Sequence, residues 1–120
     1  LERRDGRGAV DVTLAGRTHS RLGVGLLGRH QAENAAVSVA VVEELNAQGW
    51  RISDAALRDG LAAVRWPARI EVVGRNPTVI VDVAHNAASA EALVETLAES
   101  FHANKRRLVF AASRDKDISG

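Results

Sequence analysis

The sequence contains no cysteine. A disulfide framework, a thiolate nucleophile and a cysteine-based zinc site are thereby excluded, and a cytoplasmic setting is expected. An excess of one charge sign is also missing: 16 basic and 15 acidic residues leave a net charge of +1. Binding to nucleic acid or to an anionic membrane surface needs a basic face, so neither partner is expected. No stretch approaches the roughly 18 apolar residues of a membrane span, and the N-terminus carries no signal-peptide pattern. There is no internal repeat, low-complexity tract or heptad pattern. The G-x-x-x-x-G-K-[ST] phosphate loop is absent. His19, His30, His85 and His102 lie too far apart for a local metal motif, so no metal ligand is assigned.

What remains is ordinary globular composition, 46% hydrophobic and 26% charged. A chain of 120 residues holds one small domain or parts of two. It begins without Met and stops at Ile118-Ser119-Gly120, just past an expected strand, so it reads as a piece of a longer protein.

Ala9 to Leu14 alternates apolar and polar residues, as a half-buried strand does. Ala15-Gly16-Arg17-Thr18 reads as a turn, and His19 to Leu27 as the returning strand of a hairpin. Gly23 to Gly28 matches G-x-G-x-x-G, with Glu43 near the place of a ribose-binding acid. The polar run before Gly23 is not a buried parallel strand, so this match is set aside. His30 to Gln48 has helical spacing, with Gly49 as its stop. Ser53 reads as the N-cap of a second helix over Ala55 to Val64. Trp66-Pro67 breaks the pattern and marks a domain boundary, with Trp66 as a packing anchor.

Ile70 to Val73 reads as a strand and Gly74 to Pro77 as a turn. Thr78 to Val83 is a β-branched run that reads as a buried strand, followed by a helix over Ala88 to Phe101 and a second buried strand over Leu108 to Ala112. Thr78 to Ala112 thus has the size of one βαβ unit. Ligands of open α/β sheets bind at the C-terminal ends of the strands. That places Asp82, His85 and Asn86 beside Asp115, Lys116 and Asp117 on one rim. At the start of the first helix Gln31 and Asn34 share a face. That face is either a solvated helix start or an amide pair that recognises a heterocycle.

Four stretches, in order, resemble folylpolyglutamate synthase and dihydrofolate synthase of the Mur-ligase superfamily. His30-Gln31-Ala32-Glu33-Asn34-Ala35 resembles the family's H-Q-x-x-N-A. Gly60-Leu61 to Trp66-Pro67-Ala68-Arg69 resembles its G-L…W-P-G-R, with Ala68 in place of glycine. Asp82-Val83-Ala84-His85-Asn86 resembles D-[GV]-A-H-N, and Asp115-Lys116-Asp117-Ile118 resembles D-K-D-I. The resemblance implies an α/β fold: hairpin and helices from the end of an ATPase domain (1–66), then the βαβ start of a Rossmann-like C-terminal domain (67–120).

The resemblance also implies a function for the whole enzyme, an ATP-dependent ligase that adds L-glutamate to folate or dihydropteroate through an acyl phosphate. ATP and Mg²⁺ are the implied cofactors, with most metal ligands outside this chain. Asn34 would contact adenine, Arg69 the phosphates and Asp82 the ribose hydroxyls. His85 would lie near the phosphates, and Lys116 would face the acyl or amino-acid substrate. Without a phosphate loop the 120-residue piece is expected to be inactive alone. The alternatives are a piece of another Mur-type ligase and a non-catalytic βαβ binding module.

Overall fold

The computed structural model describes residues 3–4, 7–103 and 105–113. The chain forms two compact units, Leu1–Pro67 and Ala68–Gly120.

In the first unit, β1 (Arg3–Arg4), β2 (Arg7–Leu14) and β3 (Arg17–Gly23) form an antiparallel sheet in that order. Leu14 pairs with Arg17, so the turn is only Ala15-Gly16. Both turn residues have positive φ, 47° and 82°. That is the two-residue hairpin geometry whose twist suits the flanking strands. Val10 and Val12 face inward and Asp11 and Thr13 outward, as the alternation predicts. A bulge interrupts the ladder: Val10 pairs with Leu22 but Val12 with His19, so Ser20 and Arg21 oppose Asp11. The bulge turns both His19 and Leu22 inward although they are three residues apart. His19 is only 3% exposed.

Helix α1 (Arg29–Ala47) starts at Gly28, whose φ of 109° suits glycine. Gln31, Ala35 and Val39 recur every four residues and form its buried stripe. Ala40 and Val41 lie off this stripe and are exposed. Gly49, at φ 98°, follows the helix as expected. Asn46 then closes the link to the next helix. Its Nδ2 donates to Ile52 C=O at 2.9 Å, and its Oδ1 accepts from Ile52 N–H at 2.8 Å. Helix α2 (Asp54–Ala63) is capped by Ser53, whose hydroxyl oxygen accepts from Ala56 N–H at 3.1 Å. The core joins Val10, Val12, Leu22 and Val24 to Ala35, Val39 and Leu57.

The second unit has β4 (Glu71–Arg75) and β5 (Thr78–Val81) as an antiparallel hairpin, then α3 (Ala87–Ser100). The turn between Arg75 and Thr78 falls where Asn76-Pro77 predicts it. Two expectations differ here. β5 pairs antiparallel with β4 across the predicted turn, but Val79, Val81 and Val83 are exposed where burial is expected. Leu108 to Ala112 is not a strand, and Leu108 and Val109 are 85% and 97% exposed. A strand exists through ladder bonds to a neighbour, and none of the described residues pairs with this run. Trp66, expected as a packing anchor, is 61% exposed.

Candidate functional site

The start of α1 carries a chain of side-chain hydrogen bonds. Gln31, 6% exposed, uses both ends of its amide. Its Nε2 donates to His30 Nε2 at 2.9 Å, and its Oε1 accepts from Asn34 Nδ2 at 3.0 Å. Asn34 is exposed, and among the described residues nothing engages its Oδ1 or its second Nδ2 hydrogen. One acceptor beside one donor is what an aminated heterocycle edge requires. The two amides are hydrogen-bonded to each other on one face of the helix start.

The glycine-rich stretch is accounted for by packing. Gly25 N–H donates to Leu61 C=O at 2.9 Å. A Cβ on Gly25 would lie 2.6 Å from Val64 O and 2.7 Å from Ala62 O. Glycine is needed there for close approach to the end of α2. Glu43 is engaged as well, since its Oε1 meets His19 Nε2 at 2.8 Å and Arg17 Nη1 at 3.2 Å. Arg17 also reaches Asp54 Oδ1 and Oδ2 at 2.7 and 2.9 Å. This network joins β3 to the two helices.

In the second unit the polar groups gather at the open end of the β4–β5 hairpin. The last ladder pair is Glu71 with Val81, so Ile70 and Asp82 come next opposite each other. There the side chain continues the pairing. Asp82 Oδ2 accepts from Ile70 N–H at 2.8 Å, and Oδ1 accepts from Ala84 N–H at 2.7 Å. One step further, Val83 N–H donates to Ala68 C=O at 3.0 Å. Arg69 is half-buried between Ala68 and Ile70, and among the described residues no side chain pairs with its guanidinium. His85 is exposed, with its Nδ1 3.3 Å from Val83 O. Asn86 is occupied as the cap of α3: its Oδ1 accepts from Ser89 N–H at 2.8 Å, and Ser89 Oγ accepts from Asn86 N–H at 3.2 Å.

The structure thus brings Asp82 to the turn that carries Arg69, with His85 three residues beyond. Asp115, Lys116 and Asp117 lie outside the described residues. Sequence reasoning missed Ile70 and Ser89, which act through a backbone N–H and a short hydroxyl. The signal for Ser89 was its place three residues after Asn86. Among the described residues no three His, Asp or Glu side chains cluster to hold a metal ion, and no helix is long and apolar enough to cross a membrane.

Residues 68–119 match the family described as Mur ligase, glutamate ligase domain. The particular relatives are folylpolyglutamate and dihydrofolate synthases. The chain is 44% identical, over 92 residues, to a dihydrofolate synthase/folylpolyglutamate synthase of Bacillus subtilis, covering 76% of this chain and 21% of that enzyme. The folylpolyglutamate synthase of Mycobacterium tuberculosis, complexed with ADP and AMPPCP, matches with a TM-score of 0.64 at 42% identity, over 71% of this chain and 19% of that one. An FPGS–AMPPCP–folate complex matches with a TM-score of 0.65 at 32% identity, over 70% and 21%. The chain therefore spans about a fifth of the length of these relatives.

Proposed function

We propose that the chain is part of an ATP-dependent carboxylate–amine ligase that adds L-glutamate to folate or dihydropteroate. The observation that carries this reading is the 44% identity to a dihydrofolate synthase/folylpolyglutamate synthase over 92 residues. The match to a glutamate ligase domain over residues 68–119 supports it. In this reading residues 1–66 end an ATPase domain and residues 67–120 begin the Rossmann-like ligase domain. The protein works in the cytoplasm.

ATP supplies the chemistry by phosphorylating a carboxylate, which is otherwise a poor acyl donor. The amino group of glutamate then displaces the phosphate. Such transfer depends mostly on positioning and charge neutralisation, and Mg²⁺ accompanies the nucleotide. The residues of this chain do the positioning. Asn34 offers one donor and one acceptor to the adenine edge, and the Gln31 bond fixes which is which. Arg69 presents a planar fork to phosphate oxygens. An ionised carboxylate has about four acceptor sites. Asp82 uses one on each oxygen for backbone N–H groups, which leaves acceptors for the ribose hydroxyls. His85 donates to a phosphate oxygen, and Lys116 is assigned to the acyl or amino-acid substrate.

The test is an assay of the full-length protein for ATP- and glutamate-dependent extension of folate or dihydropteroate. Product that accumulates only with all three substrates is expected. ATP binding with no glutamylated product would sink the ligase reading and favour the binding module. The 120-residue chain alone is expected not to turn over.

A further inference from the structure

The turn 68–70 and Asp82 carry a relationship that nucleotide contact alone does not require. Ala68 and Ile70 both have left-handed backbone, at φ 55° and 49°. Neither is glycine, and isoleucine branches at Cβ, so this backbone is unfavourable by itself. Ile70 is nevertheless buried. Three hydrogen bonds hold the turn. Ile70 N–H donates to Asp82 Oδ2 at 2.8 Å, Ala68 N–H to Glu71 Oε2 at 2.8 Å, and Val83 N–H to Ala68 C=O at 3.0 Å. Asp82 is fixed in turn by Ala84 N–H. Arg69 sits between the two left-handed residues, so their backbone sets the origin and direction of its side chain.

We propose that Asp82 is a positioning residue for Arg69, holding the strained turn that aims the guanidinium, and that alanine at position 68 makes this chain dependent on that hold. The proposal rests on the reading of Arg69 as a phosphate ligand. Glycine at 68 would adopt the same backbone without a Cβ penalty. Alanine needs the bonds around it to stay there. The carboxylate acts twice: outward on the nucleotide sugar, and backward on the turn.

The two actions separate by substrate. In the full-length protein, Asp82→Ala, Arg69→Ala and the double variant are assayed with ATP and with 2′,3′-dideoxy-ATP, which has no ribose hydroxyls to bind. With the dideoxy nucleotide, Asp82→Ala is expected to raise the nucleotide KM about tenfold, the loss of one charge-assisted hydrogen bond. The double variant should be no worse than Arg69→Ala. Adding Ala68→Gly to Asp82→Ala should recover about fivefold, because it removes the left-handed penalty; added to Arg69→Ala it should recover nothing. If Asp82→Ala does not fold, Asp82→Leu, which has no acceptor, takes its place, with the same rescue expected. Wild-type use of the dideoxy nucleotide by Asp82→Ala, multiplying effects in the double variant, or no rescue by Ala68→Gly would each overturn the proposal. Hydrogen exchange at the Ile70 amide without nucleotide reads the hold directly, and should quicken in Asp82→Ala. Unchanged exchange overturns the hold itself. Quickened exchange with an Arg69→Ala variant that uses ATP normally overturns the phosphate reading instead, and with it the positioning role.

Discussion

The amide of Gln31 lies buried behind that of Asn34, with 3.0 Å from Asn34 Nδ2 to Gln31 Oε1. One amide thereby sets the orientation of the other. Gln31→Leu leaves Asn34 free to rotate by half a turn, which exchanges its donor and its acceptor. On the proposed contact of Asn34 with adenine, the KM for ATP in the full-length protein should rise about fivefold, the worth of one ordinary hydrogen bond, while kcat changes little. Preference for ATP over GTP should shrink as well. Steady-state assays with both nucleotides check this, and an unchanged ratio would remove Gln31 from the account.

The His19–Glu43 pair and the Arg17–Asp54 pair belong to one network but differ in worth. His19 is buried, so Glu43→Ala strands its ring nitrogen, at a cost of about 1–3 kcal/mol. Arg17 and Asp54 are both more than half exposed, and Asp54→Ala should cost less than about 1 kcal/mol. Denaturation midpoints of the two variants should fall in that order. Equal losses would mean that burial of His19 does not decide the energetics.

Two glycines in the first unit should respond to alanine with opposite sign. Gly25→Ala forces a Cβ against the carbonyl oxygens of Ala62 and Val64 and should destabilise by about 1–3 kcal/mol. Gly60, inside α2, has open space around its Cα. Gly60→Ala should stabilise by about 0.5–1 kcal/mol through helix propensity. Urea titrations of both variants check the pair.

Asn86 and Ser89 close both ends of a capping box on α3. Asn86→Ala should cost about 1 kcal/mol, with faster hydrogen exchange confined to the first turn of the helix. Asn86→Ser keeps a capping oxygen and should recover most of the loss. Equal exchange in the two variants would show that the box contributes nothing to the helix start.

Legibility in the sequence followed the range of the physics. Local signals held: the alternation at Val10 and Val12, the fourfold spacing of Ala35 and Val39, the cap at Ser53 and the turn at Asn76-Pro77 all rest on residues within a few positions of each other. The inward turn of His19 was hidden, because a bulge is set by two strands together and breaks the period of two. The exposure of Val79 and Val109 was hidden too, since a β-branched run declares a preference for a sheet but not what covers it. At the candidate site Asp82, Arg69 and His85 stood out by residue type and resemblance. Alanine at 68 stood out only as a departure from glycine, and the left-handed backbone found there was not read from it. Its neighbour Ile70 gave no sign, because it contributes a backbone N–H and an unusual φ rather than a chemically distinctive side chain.

The β4–β5 ladder has its own irregularity: Val72 pairs with Ile80 but Gly74 with Val79, so Val73 is one residue too many. Counting from the tip, that surplus residue decides which side chain arrives opposite Ile70. With it, Asp82 arrives. If Val73 paired one-to-one instead of bulging out, the frame would slip by one, Ile70 would come opposite Val83, and a valine would face the N–H instead. The hairpin therefore works like a ruler with one inserted notch. Its tip at Asn76-Pro77 can change in length or composition without disturbing the far end, whereas loss of one residue from Thr78–Val81, with the bulge kept, would misalign it. Sequence variation among related chains should be free at the tip and scarce in the spacing between the notch and the base.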